Sequence, residues 1–157
     1  MTAEETVLGG YAAFGQGNIE AFAKLFHPKC KVIVNGKHAL SGEYVGFDDF
    51  NEGNLSKLNN AYPGMGMDIE KVVSNDSDVV VFLKVTYQNS VARAVHHFVV
   101  KDGLLMEFNV HDDSQLAAEA IQIQGIKARV QLPALHLTPE ATPFSVHFEL
   151  LNRTAFR

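Results

Sequence analysis

The chain has 157 residues, 46% of them hydrophobic, no tryptophan and a formal net charge of −5. That length fits one domain with a sizeable core, and the composition is neither that of a disordered chain nor that of a collagen-like one. Lys and Arg are scattered, with no basic stripe to neutralise a phosphate backbone, so nucleic acid is not expected as a partner.

Cys30 is the single cysteine, which excludes an intrachain disulfide and reads as a buried small hydrophobe. His27 and Lys31 beside it are slender grounds for a nucleophile. The opening Met1-Thr2-Ala3-Glu4-Glu5 lacks the basic and apolar regions of a signal peptide, and no run approaches the length of a transmembrane helix. The expectation is a cytoplasmic protein with no membrane association.

Thr2 followed by Glu5 reads as a capping box, and Val7, Leu8, Tyr11 and Phe14 then share one helical face. Gly9 and Gly10 inside that helix each cost about 1 kcal/mol relative to Ala, which points to close packing of the helix on a sheet. Gly15-Gln16-Gly17 ends it. Asn18 caps a second short helix with Ile19, Phe22, Leu25 and Phe26 on its apolar face, closed by Pro28. Residues 30–34 form a β run, and residues 35–46 read as turn and loop with a short strand. Phe47, Phe50, Leu55, Leu58 and Tyr62 are spaced for a third helix, terminated by Pro63-Gly64.

The period then changes to two. Residues 67–74, 79–88, 91–101 and 104–111 are four successive strand candidates, separated by Asn75-Asp76-Ser77-Asp78, Asn89-Ser90 and Asp102-Gly103. Asp112 or Asp113 caps a short helix through Leu116, Ala120 and Ile121. Helices followed by an antiparallel meander make an α+β fold: a curved, mostly antiparallel sheet with the N-terminal helices on its concave face and a pocket inside. Two alternating segments in residues 125–157, joined by a loop with Pro133, Pro139 and Pro143, read as a β-hairpin extension to a domain of residues 1–124.

Several of these stretches resemble SnoaL-like proteins, which share a cone-shaped, cystatin-like fold with ketosteroid isomerase and nuclear transport factor 2. The matches are Tyr11 to Ala21, Ser41-Gly42 to Gly46, Ala61-Tyr62-Pro63-Gly64, Val99 to Gly103, and Glu107-Phe108 to Asp112 with Gln115-Leu116. In order and spacing they cover roughly residues 3–123. The resemblance implies a deep, mostly apolar pocket. It leaves function open, since such proteins include cyclases, isomerases, dehydratases, epoxide hydrolases, binding proteins and oligomerisation modules.

Asp112 resembles the acid/base Asp of SnoaL-like cyclases. A carboxylate at the mouth of an apolar pocket suits proton transfer next to a carbonyl, with its neighbour His111 as the other candidate. Asp112-Asp113-Ser114 is also what a helix N-terminus requires, the commoner use of such residues. His96 and His97 are adjacent in a strand, so only one faces the pocket. Grouping Ala94, His96, Phe98 and Val100 makes His96 the inward one, at a position resembling the oxyanion-stabilising Asp of ketosteroid isomerase. A strand His more often serves structure than catalysis. Tyr11 resembles that isomerase's oxyanion-hole Tyr, although an apolar-face Tyr is ordinarily core. The isomerase's base has no counterpart, because Val34 or Asn35 falls there, and Arg93-Ala94-Val95 departs from the epoxide hydrolase pattern.

Asp112, His96 and Tyr11 are therefore the catalytic candidates. Phe14, Phe26, Tyr44, Tyr62, Met65, Met67, Phe98 and Phe108 are the candidate pocket lining. No His-x-x-x-His or similar spacing suggests a metal, and no cofactor is expected. The reading is a SnoaL-like pocket protein acting as a cyclase, isomerase or lyase on a small apolar carbonyl compound. The alternative is a non-catalytic ligand-binding or dimerisation module. What the resemblance implies about assembly is a homodimer through the open sheet face.

Overall fold

The computed structural model describes residues 1–121. The hairpin expected within residues 125–157, and the domain boundary that it implies, lie outside the described residues. Helix α1 (Ala3–Gly15) begins at the capping box: Glu5 N–H donates to Thr2 Oγ1 at 3.1 Å, and Thr2 N–H donates to Glu5 Oε2 at 2.7 Å. Such a cap contributes on the order of 1 kcal/mol. Gly10 is the point where α1 meets the next helix, since a Cβ there would stand 3.1 Å from Leu25 Cδ1.

Helix α2 (Ile19–Ala23) starts with Ala21 N–H donating to Asn18 Oδ1 at 3.0 Å. It is shorter than its apolar pattern suggests, because the chain is already extended at Phe26. Strand β1 (Phe26–Val34) thus contains Pro28 instead of following it. The register of β1 against its parallel neighbour breaks between Phe26 and Lys31, where a residue without an N–H loses no ladder bond.

After β2 (Gly42–Val45), the expected third helix divides into α3 (Gly46–Gly53), a 3₁₀ turn (Leu55–Lys57) and α4 (Leu58–Ala61). Asn54 leaves helical geometry at φ −134° and ψ −69°. Its buried side-chain amide donates to the Leu40 carbonyl at 2.9 Å. Tyr44 lies over Gly53 so closely that any Cβ there would overlap its ring. Spacing alone does not reveal this break, because the apolar positions stay in phase across it.

The meander follows as expected: β3 (Gly66–Ser74), β4 (Asp78–Thr86), β5 (Val91–Lys101) and β6 (Leu104–His111). In the β5–β6 turn, Asp102 and Gly103 both have positive φ (52° and 74°), the geometry that matches strand twist. The six strands run in the order β2-β1-β6-β5-β4-β3, and only the β1–β6 pair is parallel. With a few helices against an open sheet of this kind, the fold is α+β.

Alternation places Val79, Val81, Leu83 and Val85 of β4 beside Ala92, Ala94, His96, Phe98 and Val100 of β5 on one buried face. Aromatic rings tie the helices to that face. Phe98 stacks on Phe108 at 4.4 Å, and Phe108 meets Phe50, which continues through Phe26 and Phe22 to Phe14. Each such contact adds about 0.5–1.5 kcal/mol beyond area burial.

Helix α5 (Ser114–Ala120) is capped by Asp113, whose Oδ1 accepts from Leu116 N–H at 3.1 Å. The β1–β2 loop locks onto its start. Gly36 has φ +87°, and a Cβ there would stand 2.5 Å from Ser114 Cβ. Gly36→Ala should cost about 1–3 kcal/mol through strain plus displacement. Gly17→Ala is the comparison, with a similar φ of +69° and nothing within 4 Å. Urea denaturation of the two variants should show the larger loss at Gly36. Equal losses would mean that the loop yields at no cost.

Candidate functional site

Between α1, the α3–α4 segment and the buried sheet face lies a mostly apolar cavity of about 120 Å³. From the candidate lining, Phe14, Tyr62, Met65, Met67, Phe98 and Phe108 stand in its wall. Phe26 and Tyr44 do not. Phe26 is held behind the wall by Phe22, Phe47 and Phe50. Tyr44 turns away over Gly53 and donates from its hydroxyl to the Leu40 carbonyl at 3.1 Å.

Two polar clusters interrupt the apolar wall. In the first, Tyr11 of α1 reaches His96 of β5, with Tyr11 Oη 2.6 Å from His96 Nδ1. Burial, reinforced by His111, pushes the His96 imidazole down to about 3 from its ordinary 6.5, so the ring is neutral at physiological pH. Burial also pushes the Tyr11 phenol up, which keeps it protonated. If the phenol donates to Nδ1, the pair leaves a single group unspent, the Nε2–H of His96. The reverse assignment would strand both the phenol hydrogen and the Nε2 lone pair, so the first is the favoured tautomer.

His97 lies on the opposite face, as strand alternation requires. Its Nε2 is 2.9 Å from Asp78 Oδ1, and Asn109 Nδ2 is 3.5 Å from its Nδ1. The hydrogen bond from His97, followed by that from Ser77, holds the Asp78 carboxyl below its usual value. His111 is exposed and pairs with Val95 of β5, on the sheet face away from the cavity. It is therefore corrected as a candidate for chemistry in the cavity.

The second cluster is built on Asp112, just past the end of β6. The Asn35 side chain clasps its backbone, donating to the Asp112 carbonyl at 3.2 Å and accepting from its N–H at 3.1 Å. Asp112 Oδ2 is 3.0 Å from Nε2 of His38, whose side chain is 2% exposed. His38 Nδ1 accepts from Leu40 N–H at 3.3 Å, which leaves the ring hydrogen on Nε2, facing the carboxylate. Asp112 Oδ1 is buried without a hydrogen-bond partner among the described residues. The helix cap is Asp113, so the Asp112 side chain is not consumed in capping.

Tyr62 and Tyr87 stand in the same cavity wall as this carboxylate, with ring centroids 5.0 Å apart. Burial pushes both phenols up, Tyr87 to about 12, and the negative charge of Asp112 adds to the effect on each. Sequence reasoning missed His38 and Tyr87. Tyr87 was legible, because it continues the inward parity of Val81, Leu83 and Val85. His38 was not: it stands in an irregular loop 74 residues from its partner, and no spacing connects them.

Cys30 is fully buried, and its thiol is pushed up to about 12 by burial and then by Glu107, an environment for packing and not for nucleophilic attack. Among the described residues, no group of three His, Cys, Asp or Glu side chains could hold a metal ion. No helix among them is long and apolar enough to cross a membrane.

The SnoaL-like domain family matches residues 7–108. Solved structures share the fold. TerC, co-crystallised with polyporic acid, is 24% identical at a TM-score of 0.66, covering 75% of this chain and 96% of that one. An NTF2-like protein of Burkholderia thailandensis is 20% identical at 0.68, covering 76% and 97%. A putative polyketide cyclase of Sinorhizobium meliloti is 16% identical at 0.58, covering 68% and 94%. No curated protein matches the chain.

The buried neutral imidazole makes stability depend on pH. Unfolding lets His96 regain its ordinary value near 6.5, so below that pH the unfolded state binds the additional proton. Stability is then lost as pH falls from about 6.5 towards 3, by on the order of 1 kcal/mol per pH unit. Denaturation across that window should show a shallower slope in His96→Phe than in the parent, whatever the variant's absolute stability. Parallel slopes would mean that His96 is already protonated when folded.

Proposed function

Because the chain belongs to the SnoaL-like domain family, we propose that its cavity binds a small, largely apolar carbonyl compound on which Asp112 moves a proton. The observation that carries this reading is the pairing of opposites in one cavity. At one end His38 holds Oδ2 of the Asp112 carboxylate, whose Oδ1 is buried without a hydrogen-bond partner among the described residues. At the other, a neutral imidazole braced by Tyr11 keeps a hydrogen free on Nε2.

The chemistry follows from those roles. The Asp112 carboxylate takes a proton from the carbon beside the carbonyl, and the C–H electron pair moves into the new C=C bond while the carbonyl π pair moves onto oxygen. The Nε2–H of His96 hydrogen-bonds that developing oxyanion without giving up its proton, which a neutral donor in a low-dielectric site does at little reorganisation cost. The enolate then has three exits: it recovers the proton at another carbon, attacks an electrophilic carbon, or expels a leaving group. These are isomerase, cyclase and lyase outcomes, and none requires a cofactor. The co-crystallisation of TerC with polyporic acid and the putative cyclase assignment of the S. meliloti protein support a small-molecule reading.

Phenylacetone, a one-ring ketone with acidic benzylic hydrogens, is a suitable probe. The parent protein should accelerate its hydrogen–deuterium exchange in heavy water, followed by proton NMR. Asp112→Asn should lower that rate by about 10²–10⁴-fold while staying folded, with a lower urea midpoint, since Asp113 keeps the cap and the Asn carbonyl can still accept from His38. Exchange that persists in the variant would remove Asp112 from the proposal.

A second observation favours self-association. The sheet face away from the cavity carries exposed Val45, Val73, Phe82 and Val91, with Val95 opposite Phe82 across the strands. We propose that a second copy covers this face as a homodimer. Sedimentation should show a dimer that Phe82→Lys converts to monomer; a monomeric parent, or a dimeric variant, would contradict it.

A further inference from the structure

The β1–β2 loop does more than place Asp112. Its hydrogen bonds close a circuit on that residue. The Asn35 side chain clasps the Asp112 backbone at both N–H and carbonyl. Ser41 Oγ joins the Asn35 carbonyl to the His38 N–H, and His38 returns to the carboxylate, with Nε2 3.0 Å from Oδ2. Leu40 is fixed from another segment, since its carbonyl accepts from the Tyr44 hydroxyl at 3.1 Å and from the Asn54 amide at 2.9 Å. The Leu40 N–H then donates to Nδ1 of His38 at 3.3 Å.

That backbone hydrogen decides where the protons of the His38–Asp112 pair lie. Three arrangements would fill the 3.0 Å contact: a carboxylate facing a neutral Nε2–H ring, a carboxyl group donating to a bare Nε2, or a carboxylate facing a doubly protonated ring. The second and third both put a hydrogen on Nδ1, directly against the Leu40 N–H. Only the first satisfies both ring nitrogens. With the His38 side chain 2% exposed, solvent offers Nδ1 little alternative. For the same reason the ring has no vacant nitrogen with which to take over a proton from Asp112.

We propose that His38 is a positioning residue for the reaction at Asp112: a fixed Nε2–H donor that holds the carboxylate in one geometry and takes no proton itself. The proton removed from carbon then stays on the Asp112 carboxyl until it returns to carbon or, once the ligand leaves, exchanges with water. The inference rests on the reading of Asp112 as the base, and it adds that the His–Asp pair is a support and not a relay.

Two measurements on the full chain test it. Two-bond proton–nitrogen NMR spectra near neutral pH should show the His38 ring as the Nε2–H tautomer, and the same tautomer should persist in Asp112→Asn, because Leu40 sets it. An Nδ1–H or doubly protonated ring in the parent, or a changed tautomer in Asp112→Asn, overturns the proposal. The second measurement is deuterium exchange into phenylacetone as a function of its concentration. His38→Phe should lower the saturated rate on the order of 10²-fold, the scale of a misplaced reacting group, with KM within about threefold of the parent's. His38→Gln carries an amide N–H at about the reach of Nε2 but accepts no proton, so it should run at least about fivefold faster than His38→Phe. Equal losses in the two variants would make the ring a proton carrier, and a loss confined to KM would make it a binding group; either result overturns the proposal. If His38→Phe fails to fold, a His38→Gln loss of less than about tenfold supports the proposal and a larger one overturns it.

Failure of the underlying reading looks different. A parent that exchanges no deuterium, or one that still exchanges it as Asp112→Asn, removes the base and any positioning role with it. Exchange that requires Asp112 but treats His38→Gln and His38→Phe alike removes only the role of His38.

Discussion

An apolar cavity tolerates a polar group only if that group is paired, neutral, or turned towards whatever enters, and this constraint organises the molecule. Desolvation strips His96 of its charge and keeps the Tyr11 hydroxyl protonated. The two settle into a hydrogen bond at 2.6 Å that ties α1 to the centre of the sheet. Asp112 meets the same constraint differently. Its backbone is clasped by Asn35 and one oxygen is held by His38, while the other is buried without a hydrogen-bond partner among the described residues.

Positioning comes from the parts of the fold that look least regular. The β1–β2 loop has no helix or strand through residues 35–41. Ser41 nevertheless donates to the Asn35 carbonyl at 2.7 Å and accepts from His38 N–H at 3.1 Å, which fixes the loop's shape. Gly36 lets the loop press on Ser114 at the start of α5. Supports of this kind hold a side chain in one geometry.

The two faces of the sheet carry opposite uses of the same residue types. On the cavity side a histidine is buried and neutral, stacked on Tyr11 and edge-on to Phe98 and Phe108. One position along the strand, His97 is half-exposed and paired with Asp78. Adjacent identical residues thus meet opposite surroundings, for no reason beyond the period-two geometry of a strand.

Much of the fold was legible because it rests on local physics. The capping box, the change of period from helix to strand, the turn residues Asp102-Gly103 and the inward parity of His96 all follow from residues close together in the chain. The amino-acid pattern by itself thus determined an α+β fold and a meander, while the resemblance to SnoaL-like proteins marked Asp112, His96 and Tyr11 as groups to watch. Only the tertiary structure decided the rest. The helix breaks at Asn54 because Leu40 and Tyr44 act from another segment, Pro28 sits inside a strand where the register slips, and Phe26 lies behind the cavity wall. His38 joins Asp112 across 74 residues, and Tyr11 joins His96 across 85. Propensity and periodicity act over a few residues, whereas a hydrogen bond between distant side chains exists only once packing has brought them together.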